Sequence, residues 1–304
     1  MQKKHVSIAK VSAPRLHGVV PRHRLFDALD TGLDHGAVWI TAPPGAGKTS
    51  LVASYAEARR PDVRWYQVDA GDADPSSFFY YLGLTAQGRR PRLPLLQPEY
   101  LADLDGFADR FFRDYFEGLP PGTLLVFDNV QELPADSPLY GVLARAVTQV
   151  PRGMAIAAVS RQESPPEFAR LRANGTLQVV VWPELQLTEA ETFSICEAQG
   201  LTDAKRVDAL HRGSGGWVAG LTLMLERARR SGRTADDLEG DSRDAIFDYF
   251  AGQIFQAAPE RDRRTLLRGA FAPRLTPALL AELADDSNAP QLLDALYKRH
   301  LFTD

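Results

Sequence analysis

Cysteine is almost absent. Cys196 is the one thiol in 304 residues, so no disulfide can form within the chain. With no CxxC spacing and no ligand neighbour, it offers no redox motif or thiolate metal site either. A reducing compartment, the cytoplasm, is the expected location. No apolar run approaches the roughly 18 residues of a membrane span, and the basic start MQKKHVSIAKVSAPRL has no apolar centre of the kind an export signal needs. Neither membrane insertion nor export is expected. The six histidines show no HExxH or comparable ligand spacing, and GxSxG and NKxD patterns are missing. An excess of positive charge is missing too. A formal net charge of −4 and a pI of about 5.9 argue against a broad nucleic-acid face, so no direct DNA contact is expected from this stretch.

The chain does have enough apolar material, 44 % hydrophobic against 24 % charged, to bury a core divided over two or three domains. Its organising stretch is AVWITAPPGAGKTS over residues 37–50. Ala37 to Ile40 is the short continuous apolar run of a strand covered on both faces, and from Ser50 to Ala58 the apolar residues Leu51, Val52, Tyr55 and Ala58 recur at helical spacing. Strand, glycine-rich turn and helix follow in that order.

Such a turn points successive main-chain N–H groups at one spot, where the helix dipole also favours negative charge. A polyphosphate cradle is therefore expected over Pro44, Gly45, Ala46, Gly47, Lys48, Thr49 and Ser50. The glycines let the backbone approach closely, Lys48 reaches the β and γ phosphates, and the Thr49 hydroxyl holds Mg²⁺. Only six of the 35 basic residues are lysine, so the choice at position 48 stands out. A compact ammonium suits a phosphate cradle better than a planar guanidinium. Against the pattern GxxxxGK[ST], Ala42 replaces the first glycine, a change expected to be tolerated if its φ is negative. The bland alternative is a Gly/Pro loop with an incidental Lys-Thr pair.

Further along, Thr123 to Phe127 is an apolar run ending at Asp128, the carboxylate expected to share the metal with Thr49; a strand-terminal turn aspartate is the alternative. The next residue is Asn129, which cannot take a proton from water, so ATP hydrolysis is expected to be slow or absent. Arg161, at the tip of a fourth strand, points to the γ-phosphate unless it is a plain surface arginine. With no guanine signature, ATP/ADP is the expected nucleotide.

The other strands are read at Val63 to Val68, Met154 to Val159 and Leu177 to Trp182. The helices between them cover Arg22 to Leu33, a segment capped by Asp74 with Pro75 at its first position, Leu101 to Tyr115, and 138–149. Alternating strands and helices indicate a mainly parallel sheet. After Pro183 helical patterns dominate, with a capping box of Thr188 and Glu191. The polar stretch SGRTADDLEGDSRD at 231–244 marks a second boundary before three amphipathic segments from Ala245 onward. The domains are thus expected at 1–182, 183–240 and 241–304.

With VVPRHRL, TAPPGAGKTSLV, WYQVDAGDADPSSFFYYL, LLVFDN, Ser160-Arg161 and GSGGWVAGL in view, the chain resembles the signal-transducing STAND ATPases. More narrowly, it is similar to the nucleotide-binding part of MalT-like, large LuxR-type transcriptional regulators. The resemblance implies an α/β fold, a P-loop NTPase parallel sheet followed by a helical domain and a partial winged helix beginning at DYFAGQIFQAAPERDRRTLLRGAF. It also implies adenine contacts from near Val20 and Arg22 and from around Trp217, though Val218 stands where such proteins often have proline. As a switch, the chain would bind ATP/ADP and Mg²⁺, and an inducer would promote self-association through regions partly absent here. A hydrolysing AAA-like ATPase and a scaffold with permanently held nucleotide are the alternatives.

Overall fold

The apolar runs ending at Thr41, Asp128 and Ser160 form adjacent strands of one sheet, and this adjacency positions the site. In the computed structural model, which describes residues 8–60, 62–86, 93–231, 255, 258–272 and 275–298, the strands are β1 (Ala37–Thr41), β2 (Val63–Gln67), β3 (Leu124–Asp128), β4 (Ala155–Ser160) and β5 (Leu177–Val180). All pairs are parallel, in the order β2-β3-β4-β1-β5. Every residue of β1, β3 and β4 is buried, which explains why these strands read as unbroken apolar runs with no alternation. Lys3, Lys4, Pro61, residues 88–92 of the proline-rich loop, Arg233 and the rest of 232–244, the start of the pattern at Ala245, and Leu301 with Phe302 lie outside the described residues. So do the side chains of 227–231.

Helices α1 (His23–Asp34), α2 (Lys48–Arg59), α3 (Pro75–Thr85), α4 (Leu104–Glu117) and α5 (Leu139–Gln149) alternate with the first four strands. The aromatics of α3 and α4 are core residues. Phe79 meets Phe111 at 4.8 Å and Phe107 at 4.9 Å between ring centroids, in the edge-on geometry that ring quadrupoles favour. Together with Trp39, Phe127 and Ile156 of the sheet they form one buried cluster, each such side chain contributing about 1.5–3 kcal/mol by burial. Asp74 caps α3 by accepting from Ser76 N at 3.0 Å and Ser77 N at 3.2 Å, and Pro75 follows at the first helical position.

The expected fifth strand is shorter than read. It stops at Val180, and Trp182–Leu185 is a single helical turn (α7), following the short helix α6 (Ala169–Ala173). Pro183 explains the difference, since its fixed φ suits a first helical turn and it lacks the N–H a strand would need.

Two compact units result, the described residues among Met1–Ala42 with Gly47–Leu185, and those among Pro43–Ala46 with Gln186–Asp304. Among the described residues the second unit is helical, with α8 (Glu189–Ala198), α9 (Ala204–Ser214) and α10 (Val218–Ser231), then helices at Glu260–Gly269, Pro277–Ala284 and Ala289–Lys298. Thr188 and Glu191 exchange both bonds of a capping box at the start of α8. Leu187, Cys196, Leu210, Leu221 and Met224 make one small core, and Leu280, Ala284, Ala289 and Leu293 another.

Candidate nucleotide site

Because the sheet is parallel, the carboxyl ends of β1, β3 and β4 open on one edge, where open α/β sheets hold their ligands. Thr41 of β1 stands beside Ser160 of β4, and Phe127 of β3 beside Ala158. At that edge stand Lys48 and Thr49 at the start of the helix after β1, Asp128 and Asn129 at the end of β3, and Arg161 just past β4.

Helix α2 starts at Lys48, two residues earlier than the apolar spacing marked, with Gly47 as its cap at φ 81°. Lys48 and Thr49 therefore lie in its first turn. Main-chain bonding resumes with Leu51 N donating to Gly47 O at 2.8 Å. Among the described residues the N–H groups of Gly47, Thr49 and Ser50 have no main-chain acceptor. These are the unpaired donors of a helix start, aimed where an anion binds. The residue at position 42 is not left-handed, so alanine replaces glycine there without strain. Its carbonyl accepts from Lys48 Nζ at 2.7 Å.

Lys48 is buried, and desolvation, then the nearby Arg161 charge, push its ammonium down to about 8, with Asp128 opposing them. Thr49 Oγ1 donates to Asp128 Oδ1 at 3.0 Å, and the same oxygen accepts from Asn129 N at 3.0 Å. Burial nevertheless pushes the Asp128 carboxyl up from its ordinary value, more than the bonds from Thr49 and Asn129 hold it down. A hydroxyl and a carboxylate side by side are a hard-oxygen pair. Among the described residues no group of three or more His, Cys, Asp or Glu is arranged for a metal. That donor set fits Mg²⁺, which takes one or two carboxylates and completes its shell with phosphate and water.

Asn129 has φ 61°, a left-handed conformation that asparagine adopts more easily than most side chains. It turns the chain into a 3-10 turn at Val130–Glu132. Gln131, which sequence reasoning passed over, lies on this turn and bonds to Asn129 and to the Arg161 main chain. The Arg161 residue is exposed. Arg22 is buried and its Nη1 donates to Leu185 O at 2.9 Å, while Val20 is half-buried.

In the second unit, Trp217 Nε1 donates to Pro44 O at 3.0 Å and Ala219 N to Gly45 O at 3.0 Å, while Ala46 N bonds back to Pro43 O at 3.3 Å. Gly45 has φ +75°, and a Cβ there would lie 2.6 Å from Ala219 Cβ and 2.9 Å from the Trp217 ring. The glycine is thus required both by its backbone and by what packs on it. This link between the Gly-Trp segment and the loop backbone has no local sequence signal.

Residues 251–304 match the family model described as the MalT winged helix domain. The HTH-type transcriptional regulator MalT of Serratia proteamaculans is 26 % identical over 306 residues, covering 97 % of this chain and 34 % of that protein. The MalT of Klebsiella pneumoniae (strain 342) is 24 % identical with the same coverage. The chain spans about a third of the length of these curated relatives. Two solved structures are similar in fold. A Walker-type ATPase of Pyrococcus abyssi has a TM-score of 0.54 at 12 % identity, covering 91 % of this chain and 87 % of that one. The Aeropyrum pernix Orc1 protein, solved in complex with DNA, has a TM-score of 0.53 at 14 % identity, covering 93 % and 85 %. No helix among the described residues is long and apolar enough to cross a membrane. By sheet topology the chain has the fold of these ATPases, it is similar to MalT regulators over nearly all of its length, and its residues 251–304 match the MalT winged-helix model.

Proposed function

We propose that this chain is the ATP/ADP-binding switch of a cytoplasmic, MalT-like transcriptional regulator, in which the bound nucleotide and an inducer control self-association. The observation that carries this reading is the start of α2. N–H groups of Gly47, Thr49 and Ser50 that have no main-chain acceptor among the described residues stand beside a buried Lys48, and Thr49 is bonded to Asp128. The N–H groups and Lys48 bind the phosphates. Thr49 and Asp128 hold Mg²⁺, which neutralises phosphate charge when bound, and Arg161 responds to the third phosphate. The adenine contacts near Val20 and Arg22, and those around Trp217, rest on the family resemblance alone.

Switching requires only that ATP and ADP differ in affinity for two states of the chain. Hydrolysis is slow at most, because Asn129 stands where a proton acceptor would orient water. Control of transcription is carried over from the HTH-type regulators to which the chain is similar, of whose length it spans about a third.

The experiment is nucleotide titration of the purified chain and of Lys48→Ala, with identification of the nucleotide that copurifies. Binding of ATP and ADP by the wild type and its loss in the variant are expected. Equal affinity in both proteins would remove the site.

A further inference from the structure

The ladder between β3 and β4 ends at Phe127 and Ala158, yet the first main-chain N–H beyond β4, that of Arg161, is bonded. Its acceptor is a side chain. Gln131 Oε1 accepts from Arg161 N at 3.0 Å, while Gln131 Nε2 donates to Asn129 Oδ1 at 3.3 Å and to Glu132 Oε1 at 3.2 Å. The left-handed Asn129 makes this possible by turning the chain after β3 back into the 3-10 turn that carries Gln131.

We infer that Gln131 is a positioning residue for Arg161, fixing the arginine at the tip of β4 so that the site distinguishes a nucleoside triphosphate from a diphosphate. The inference rests on the nucleotide reading above and deepens it. A carboxamide is suited to the task because it offers an acceptor and two donors at one side-chain end, so it can bridge the turn after β3 and the end of β4 at once. A hydrocarbon of the same length bridges neither. The Arg161 charge helps to lower the Lys48 ammonium, so the guanidinium lies within electrostatic reach of the lysine proposed to bind the phosphates. Once its main chain is released, Arg161 is held only through the next residue, Gln162, whose N–H donates to Ser160 Oγ and whose carbonyl accepts from Trp39 Nε1, and orienting it on a third phosphate costs conformational entropy. ADP lacks that phosphate, so its affinity does not depend on the anchor.

The test is calorimetric titration of the whole chain with Mg²⁺-adenylyl imidodiphosphate, a triphosphate that is not turned over, and with ADP. The proteins are the wild type, Gln131→Met, Arg161→Ala and the double variant. Gln131→Met is expected to lose about tenfold in triphosphate affinity and to keep ADP affinity within about twofold. In the Arg161→Ala background the same change is expected to cost nothing more, as two residues acting through one interaction require. Gln131→Asn, too short to bridge, repeats the test with a polar side chain should the methionine variant not fold.

Equal loss for both nucleotides, full additivity with Arg161→Ala, or an unchanged ratio while Arg161→Ala alters it overturns the inference and leaves the nucleotide reading standing. An Arg161→Ala variant with unchanged discrimination overturns the inference and the third-phosphate role of Arg161, and a wild type that binds neither nucleotide overturns the nucleotide reading and the inference together.

Discussion

Thr49 Oγ1 donates to Asp128 Oδ1 across 3.0 Å, joining the first turn of α2 to the tip of β3. Asp128 also accepts from Asn129 N, so Asp128→Asn can keep both bonds through its carbonyl oxygen while losing the charge a metal needs. The fold should survive, because burial makes the charged form unfavourable there. Mg²⁺ should strengthen triphosphate binding in the wild type and have little effect in the variant, measured as affinity with and without EDTA. The raised carboxyl also sets a pH direction. The folded chain gains stability as pH falls through the raised value toward the ordinary carboxylate range, and over that fall it loses the Mg²⁺ effect. A metal effect of equal size in Asp128→Asn would take Asp128 out of the metal site.

Lys48 gives the opposite sign. Its ammonium is pushed down to about 8 from 10.5, so the folded state holds that proton less tightly than the unfolded one. The penalty is fully present below pH 8 and is relieved as pH rises from 8 to 10.5, an effect on the order of 3 kcal/mol. Lys48→Met should therefore abolish nucleotide binding while keeping or raising the Tm at pH 7. Phosphate restores the preference for the charged form, so wild-type binding should take up protons, approaching about one per nucleotide near pH 9 and few near pH 6.5. Calorimetry in buffers of different ionisation enthalpy reads this directly, and uptake independent of pH would contradict it.

Much of this architecture was legible because its signals are local. The buried runs before Thr41, Asp128 and Ser160 have no alternation because both faces are covered, and the Asp74 and Thr188 caps are formed by residues within three positions of their partners. The residues that were not legible act over long separations. Trp217 reaches Pro44 across 173 positions, and Lys10 reaches Asp72 across 62, beside a bond from Tyr66 OH to the same carboxylate. Such pairs leave no periodicity. Gln131 went unread for a different reason, because its use depends on the left-handed Asn129.

Gly45 and Trp217 yield a loop prediction. With φ at +75° and a Cβ position 2.6 Å from Ala219 Cβ, Gly45→Ala must strain the backbone and displace the residues packed on it, costing about 1–3 kcal/mol. Trp217→Phe keeps an apolar ring but removes the N–H that donates to Pro44 O, costing about 1 kcal/mol. Both should weaken ATP and ADP alike, because the loop carries phosphates common to both. Thermal unfolding and titration with each nucleotide would check this, and a selective loss of ATP in either variant would contradict it.

Asn129 separates chemistry from backbone geometry. At φ 61° both asparagine and aspartate are tolerated, whereas a β-branched residue is strained, so Asn129→Val should lower stability by about 1–3 kcal/mol. Asn129→Asp should fold normally, since its carboxylate can still accept from Gln131 Nε2, as Asn129 Oδ1 does at 3.3 Å. It also places a proton acceptor next to Asp128, where water attacking the third phosphate has to be oriented. Steady-state phosphate release should therefore rise in Asn129→Asp by about 10²-fold or more over the wild type, with nucleotide affinity little changed. Equal turnover in the two proteins would mean that the missing carboxylate is not what keeps this site slow.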